Sequence, residues 1–270
     1  MSSEVPSGDV GFVGSIPDIY ERLLVPLIFA EPAARLADAV AAGGPADVLE
    51  TAAGTGVLTR ALASRLPQAA ILATDLNQDM LDQARERTDA PGVRWQQADA
   101  LALDVPDASV DAVACQFGVM FFPDKVAGYS EARRVLRPDG LFAFNVWDSL
   151  EHNEIPRVIR DAFAAAVADP PDFFARTPYG HSDQDRLHAD LQDAGFTAEI
   201  EVIAGVNRGN PADVAVAFCQ GTPISAEIAR HPDLDLASAT GIAAEALQQH
   251  FGASIEGEAS WLQVLARPAL

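Results

Sequence analysis

The sequence predicts a doubly wound α/β fold, built on a mostly parallel seven-stranded sheet with helical cap insertions near its end. Three observations support this prediction. Short apolar runs alternate with stretches of helical periodicity, a glycine-bearing turn follows the first strand-like run, and two longer segments interrupt the pattern late in the chain. Apolar strands that alternate with helices of about ten residues are typical of βαβ units, whose parallel strands are covered on both faces.

Two helices are predicted at the start, over residues 19–30 and 33–42, with Pro32 suited to a helix start and Gly43 to a stop. Strands and helices then alternate. The strands are predicted at residues 46–50, 70–75, 93–97, 110–116, 141–147, 198–203 and 258–267. Further helices are predicted at residues 57–66, 78–88, 129–136, 154–168 and 184–194, and residues 211–252 are predicted to be mostly helical.

This organisation divides the chain into three parts. Residues 1–44 are expected to form N-terminal helices that cover a ligand site, and residues 45–147 the α/β core. Residues 148–270 complete the sheet and carry two insertions, at about 151–185 and 211–252. Insertions of this kind commonly become lids and pocket walls, so we expect them to cap the site.

Composition narrows the classes of partner. The formal net charge of −21 argues against nucleic acid, because phosphates are bound through Lys and Arg. No apolar run approaches the ~18 residues typical of a membrane span, and no basic region followed by an apolar run opens the sequence. Cys115 and Cys219 lie in apolar stretches, which favours buried free thiols over a disulfide. We therefore expect a cytoplasmic protein without a membrane span, and the composition is compatible with a homodimer.

The first candidate motif is the turn over residues 50–56, which joins the first strand to a helix. Its glycines let the backbone approach a ligand closely, and the helix N-terminus offers free N–H groups. Residues 54–59 also match half of the dinucleotide-binding pattern G-x-G-x-x-G/A, with Thr59 in the third place. A tight turn without any ligand is the alternative interpretation.

Two acidic residues at strand ends strengthen the ligand interpretation. Asp75 ends the second strand, where a carboxylate can accept both hydroxyls of a ribose, as it would in an NAD enzyme too. Asp99 follows the third strand, where its carboxylate can accept the exocyclic amine of an adenine. The backbone N–H of Ala100 can donate to a ring nitrogen. Together these residues indicate an adenine nucleoside.

Four motifs occur in order along the chain: VLETAAGTG at residues 48–56, ATD at 73–75, ADA at 98–100 and RVLRPDG at 134–140. In this order and spacing they resemble the class I S-adenosylmethionine-dependent methyltransferases. The subgroup that they resemble most is that of the ubiquinone/menaquinone-biosynthesis methyltransferases and their small-molecule relatives. One departure is Ala52, which stands where the family usually has its first glycine. Its methyl group is expected to narrow the turn slightly.

The resemblance implies roles at the methionine end of the cofactor. Glu50 would orient the turn and help to hold the methionyl ammonium through the backbone or a water molecule. Ala52, Gly54 and Gly56 would pass beneath the ribose and the methionine. Tyr20, on the N-terminal helix, would close over the methionine; a core tyrosine with a satisfied hydroxyl is the alternative.

At the nucleoside end, the resemblance implies that Asp75 holds the ribose hydroxyls, with Leu76 and Met80 beside the adenine. Asp99 and Ala100 would read the edge of the adenine ring. Met80 also fits the buried face of an ordinary amphipathic helix, so its contact with the adenine is one of two alternatives.

On the acceptor side, the resemblance implies that Gln116 and Phe117 border the sulfonium. Methyl transfer is an in-line displacement, so positioning and exclusion of water carry most of the catalysis. A base is needed only for a hydroxyl or an acidic carbon, and His152 and His181 are the candidates, each with a surface histidine as the alternative. Aromatic residues predict an apolar acceptor pocket. They are Phe121, Phe122, Phe163, Phe173, Phe174, Tyr179 and Phe218.

The sequence therefore predicts an S-adenosylmethionine-dependent methyltransferase that acts on a small, partly apolar molecule. No residues have metal-ligand spacing, so no metal is expected. An NAD(P)-dependent oxidoreductase is the first alternative, disfavoured by the missing third glycine and by the pair Asp99 and Ala100. A methyltransferase-like domain that binds without turnover is the second, because a fold and a cofactor site do not establish a reaction.

Overall fold

The computed structural model describes residues 7–12 and 16–269. Positions 1–6 and 13–15 of the predicted N-terminal part, and residue 270, lie outside the described residues.

One seven-stranded sheet organises the molecule, with the strand order β3-β2-β1-β4-β5-β7-β6. Its members are β1 (Asp47–Glu50), β2 (Ala70–Asp75), β3 (Val93–Gln97), β4 (Val110–Gln116), β5 (Leu136–Trp147), β6 (Phe196–Gly209) and β7 (Ile255–Pro268). Pairing is parallel throughout, except that β7 runs antiparallel to both β5 and β6. The predicted fold class is therefore confirmed.

Helices cover both faces of this sheet and its carboxyl edge. They are α1 (Ile16–Ile19), a π-helical segment (Tyr20–Phe29), α2 (Ala30–Ala41), α3 (Val57–Arg65), α4 (Gln78–Arg87), α5 (Lys125–Val135), α6 (Glu154–Ala166), α7 (Phe173–Arg176), α8 (Gln184–Asp193), α9 (Pro211–Gln220), α10 (Ile224–Ile228) and α11 (Leu236–Phe251). Leu36 of α2 and Leu58 of α3 pack under one face. Tyr129 of α5 and Leu187 of α8 pack under the other.

The N-terminal helices differ from the prediction, because residues 16–41 form one continuous helical run. The expected start at Pro32 is wrong: Pro32 lies inside this run, in the first turn of α2 directly after the π-helical segment. Pro26 lies inside the π-helical segment, whose wider turn is visible in the bond from the Ala30 N–H to the Val25 carbonyl. The predicted break is thus replaced by a change of helical type.

The expected Pro–Asp–Gly turn lies within β5, which begins at Leu136. Pairing with β4 passes from Val110 opposite Leu136 to Ala112 opposite Leu141, so the residues between them bulge out. The last two strands, each 14 residues long, are longer than predicted. β6 alternates partly buried and exposed residues at the sheet edge, so its continuation over residues 204–209 has no apolar run that would have predicted it.

The site follows from the topology. The chain leaves β1 towards β2 and β3, and then returns on the other side as β4. At such a switch point the two connections diverge and leave a crevice at the carboxyl ends of the strands. The late insertions cover this crevice: Leu24 and Phe29 of the π-helical segment pack with Ile155 of α6 and Phe218 of α9 in one buried cluster.

Asn153 joins the start of this cap to the sheet, and its substitution tests the joint. Its buried amide donates to the carbonyls of Asp148 (3.3 Å), Ser149 (3.1 Å) and Ser260 (3.0 Å), and its Oδ1 accepts the Ser260 N–H (3.2 Å). We expect Asn153→Ala to lower the free energy of unfolding by at least about 2 kcal/mol, because backbone groups then lose their partners in the interior. Chemical denaturation measures this change.

The neighbouring Glu151→Ala is the matched control, since Glu151 is exposed and, within residues 7–12 and 16–269, its ion pair is with Arg160 at the surface. We expect a cost below about 1 kcal/mol for it. Equal effects of the two substitutions would contradict the proposed joint.

Candidate functional site

A cavity of about 380 Å³ lies over the carboxyl ends of β1, β2, β4 and β5. It gathers all the residues predicted to bind a cofactor except Glu50 and Gly56. Those on its wall are Tyr20, Ala52, Gly54, Asp75, Leu76, Met80, Asp99, Ala100, Gln116 and Phe117. The sequence therefore locates the cavity, while the role of each residue towards a ligand stays a prediction.

The glycine turn, residues 50–56, has an unusual backbone. Ala52, Gly54 and Gly56 all have positive φ angles, of 52°, 56° and 81°. A Cβ on Gly56 would lie 2.9 Å from the Trp95 ring, so that position excludes any larger residue. Ala52 carries a side chain in a conformation that strongly favours glycine. The turn therefore holds a strained alanine.

The methyl group of Ala52 is accommodated by a second glycine. A Cβ on Gly118, in the loop after β4, would lie 2.4 Å from the Ala52 Cβ and 2.7 Å from Cys115 Sγ. Gly118 thus leaves the space that the Ala52 methyl group uses. Because Gly118 has no side chain, the opposite loop leaves room for the methyl group that was expected to narrow the turn.

Asp75 fixes the turn from β2. Its buried carboxylate accepts the Gly54 N–H (2.8 Å) through Oδ2 and the Asn77 N–H (2.8 Å) through Oδ1. Burial raises the pKa of this carboxyl group, while the two backbone donors oppose that shift. Each carboxylate oxygen has about two acceptor sites, so Asp75 keeps acceptor capacity for a ligand on the cavity wall.

Glu50 lies beneath the turn and is 1% exposed. Its Oε2 has no partner in the described part of the chain. Burial raises its pKa to about 8, against the opposing effect of the nearby Thr59 and Arg60. An unpaired buried carboxyl oxygen calls for a donor from a ligand or a water molecule.

The nucleoside end of the cavity combines polar and apolar groups. Asp99 follows β3 and its Oδ1 accepts the Leu101 N–H (2.9 Å), which orders the loop. Leu76 is 50% exposed although it is apolar, whereas Met80 is buried. Exposed apolar surface beside carboxylates suits a flat ring with polar edges.

The other end of the cavity is aromatic. Of the predicted pocket residues, Phe121, Phe122, Phe173, Phe174, Tyr179 and Phe218 line it. Phe163 does not, because it is fully buried in the core of the cap. Sequence reasoning missed Phe12, Phe29, Met120 and Trp147. Trp147 ends the fifth predicted strand, a position that points to the same edge of the sheet.

Phe117 shows backbone strain at this aromatic end. Its φ is 50°, which is rare for a bulky residue, and its N–H donates to the Asn145 carbonyl (3.1 Å). The ring stacks on Trp147 at a centroid distance of 4.0 Å and an interplanar angle of 9°. Strained residues cluster at functional sites, where the surrounding contacts hold them in place.

Neither candidate base lies on the cavity wall. His152 is exposed and its Nδ1 contacts Ser149 Oγ and Asp148 Oδ2, both at 3.1 Å. His181 contacts the Tyr129 hydroxyl (3.1 Å), and burial, with Lys125 and Arg186 nearby, lowers its pKa to about 3. The prediction that either histidine acts as a base is therefore not supported by its position.

The described residues contain neither a metal-binding cluster nor a membrane-spanning helix. No three His, Cys, Asp or Glu side chains come together there in a way that would hold a metal ion. No helix within residues 7–12 and 16–269 has the length and apolar character that crossing a membrane requires.

Comparison with known proteins supports the resemblance. Residues 48–140 match the family model described as a methyltransferase domain. A demethylmenaquinone methyltransferase of Deinococcus radiodurans is 44% identical over 101 residues, covering 37% of this chain and 42% of that protein. A ubiquinone/menaquinone biosynthesis C-methyltransferase of Escherichia coli is 31% identical over 166 residues, covering 55% and 65%. The chain thus spans less than two thirds of either relative.

Among solved structures, a Bacillus halodurans protein to which a methyltransferase function is ascribed superimposes with a TM-score of 0.58 at 22% identity. The match covers 89% of this chain and all of that chain. This likeness shows the fold. The methyltransferase resemblance that the motifs indicated is confirmed, and the matched residues include the glycine turn, Asp75 and Asp99.

The fit of Ala52 against Gly118 gives a testable coupling. We expect Gly118→Ala to lower the free energy of unfolding by about 1–3 kcal/mol, because the new methyl group has no space. In an Ala52→Gly background this cost is expected to fall, leaving the part that comes from Cys115. A double-mutant cycle by chemical denaturation measures the coupling, and the same cost in both backgrounds would contradict it.

Proposed function

We propose that this protein transfers a methyl group from S-adenosylmethionine to a small, partly apolar molecule. One observation carries the proposal: a single cavity joins the glycine turn and strand-end carboxylates at one end to an aromatic pocket at the other. The methyltransferase domain match over residues 48–140 supports the enzyme class and the cofactor. The whole chain's reaction remains a proposal, because its relatives are matched only in part.

The residues present fit the cofactor. The unpaired Glu50 Oε2, beneath the turn, suits an ammonium group reached through a water molecule, and the acceptor sites left on Asp75 suit ribose hydroxyls. Asp99 and the Ala100 N–H would hold an adenine edge, with Leu76 and Met80 against its faces. The side-chain-free surface of the glycine turn would lie beneath the sugar. Tyr20, Gln116 and Phe117 would border the reactive end.

When bound, the cofactor supplies an already activated methyl group. The protein then has to bring the acceptor into line and exclude water. The aromatic residues of the cap perform the exclusion, because they leave few polar groups at that end of the cavity. Phe117 and Trp147, at the ends of β4 and β5, limit the directions from which an acceptor approaches.

The similarity to these relatives does not identify the methyl acceptor. Their names concern quinone biosynthesis, whereas Trp147, Phe173, Tyr179 and Phe218 lie outside the matched residues 48–140. We propose a small, partly apolar molecule as the acceptor, since one end of the cavity is lined by aromatic side chains. The cytoplasmic location, the absence of nucleic-acid binding and a homodimer stay predictions.

Cofactor binding gives the first test. S-adenosylmethionine, or its demethylated product, is expected to raise the melting temperature, while NAD does not; at ~100 times the dissociation constant the gain is about 2.7 kcal/mol. Asp75→Ala is expected to weaken binding at least about tenfold, because charge-assisted hydrogen bonds are lost. Calorimetry measures both effects.

Asp79→Ala is the matched control, since Asp79 is exposed on α4 and lies outside the cavity wall. It removes the same charge and is expected to leave the affinity unchanged. Stabilisation by NAD but not by the sulfonium compound would overturn the proposal, and equal affinities for both variants would remove Asp75 from the site.

Glu50 gives a second test through its proton. At pH 7, below its pKa of about 8, the carboxyl group of the free protein is mainly protonated. A cationic ammonium beside it favours the carboxylate, so cofactor binding is expected to release up to about one proton. Binding enthalpies measured in buffers of different ionisation enthalpy report this release. Glu50→Gln is expected to abolish it, and an unchanged release in that variant would exclude Glu50 as the source.

A further inference from the structure

The chemistry of the cavity wall restricts the acceptor. Among the described residues, no His, Lys, Arg or Glu side chain lines the cavity. Its only carboxylates among these residues lie at the nucleoside end: Asp75 at the end of β2 and Asp99 in the loop after β3. An anionic acceptor would therefore be buried without a cationic protein partner, which is costly. The acceptor end of the cavity favours an uncharged molecule.

The two tyrosines of the wall do not supply a base. Burial raises the pKa of both Tyr20 and Tyr179, and Asp75 and Glu21 raise that of Tyr20 further. Both hydroxyls stay protonated at neutral pH. They donate hydrogen bonds but do not take a proton from an acceptor.

Five rings form a continuous surface here, which we call the aromatic wall: Tyr20, Phe29, Phe117, Trp147 and Tyr179. Tyr20 stacks on Phe29 at 4.8 Å, and Phe29 lies 5.6 Å from Phe117 and 6.0 Å from Trp147 between ring centroids. Trp147 continues the row to Tyr179 at 5.8 Å. Aromatic faces attract cations such as quaternary ammonium groups, and tryptophan does so most strongly.

We propose that the methyl acceptor is an uncharged amine carried on an apolar ring, and that the aromatic wall stabilises the ammonium formed from it. The proposal rests on the methyl transfer proposed above. An amine nitrogen that arrives unprotonated needs no base, because its lone pair is free to form the new bond, whereas a hydroxyl or an acidic carbon must lose a proton. The aromatic wall attracts cations and takes up no proton, as methyl transfer to an unprotonated amine requires.

The step balances without any further reactant. The lone pair of the acceptor nitrogen forms the new N–C bond, while the C–S bond of the sulfonium donor breaks and leaves its electron pair on sulfur. The positive charge passes from sulfur to nitrogen. A primary or secondary amine loses its proton to water after the product leaves the cavity.

A binding experiment tests the wall without turnover. The probes are phenyltrimethylammonium and its neutral isostere tert-butylbenzene, each titrated into the free protein and followed by ligand-observed NMR. We expect the cation to bind roughly 2- to 30-fold more tightly, the range that a cation–aromatic contact gives. Equal binding, or a preference for the neutral isostere, overturns the proposal.

Variants locate the effect. Trp147→Leu is expected to remove most of the preference for the cation, and Trp147→Phe to restore part of it. Phe163→Leu is the matched control, because Phe163 is buried in the cap away from the cavity and its change should leave the preference intact. A preference that survives Trp147→Leu unchanged assigns the cation to another surface and overturns the proposal.

A competition between matched acceptors tests the chemistry. Both acceptors compete in one reaction with S-adenosylmethionine. We expect 2-naphthylamine to be methylated roughly a hundredfold faster than 2-naphthol, because the naphthol needs a base that the cavity does not supply. Such a base is worth about 10²–10⁴ in rate. Preference for the naphthol overturns the amine but keeps the methyltransferase. Failure of S-adenosylmethionine to bind overturns the proposed function instead, and the two failures are thereby distinguished.

Discussion

The site depends on the buried carboxylate of Asp75. It accepts one backbone N–H from the turn after β1 and another from the turn after β2, and so ties two loops together at the switch point of the sheet. Thr74 adds a second tie, because its hydroxyl donates to the Glu50 carbonyl and its own carbonyl accepts the Ala53 N–H, both at 2.9 Å. The left-handed residues of the glycine turn are therefore held in place by the protein itself.

The order of the strands also determines which end of the cavity is polar. Because β1, β2 and β3 all end at the same edge, Asp75 and Asp99 line one end of the cavity, and Glu50 lies buried beneath the turn there. The other end is built from side chains of the π-helical segment, β5 and the cap, and is aromatic. One end thus offers hydrogen-bond acceptors and negative charge, and the other offers polarisable apolar surface. A ligand pair with a cationic, hydroxyl-rich member and an apolar member fits this division.

The sequence was most informative where local pattern and position coincide. The central strands are mostly apolar runs, so the sequence predicts where they begin and end. Because these strands are parallel, the residues at their carboxyl ends come together at one edge of the sheet. The aromatic wall was only partly foreseen. Phe12 and Phe29 reach the cavity through the path of the N-terminal segment, which no periodicity encodes, and the break expected at Pro32 was replaced by a π-helical turn. His152 and His181 were predicted as bases from their residue type alone. The residue type does not determine whether a side chain on a loop faces the cavity.

The continuous helical run over residues 16–41 has a mechanical consequence. Its first half contributes Tyr20, Leu24 and Phe29 to the cavity, while its second half buries Leu36 and Val40 beneath the sheet. Arg60 clamps it further, since it donates to Glu21 and to the Thr55 carbonyl, both at 2.7 Å. An outward movement of this run would expose Leu36 and Val40, which are buried in the core beneath the sheet. We therefore expect this run to stay in place when ligands bind and leave.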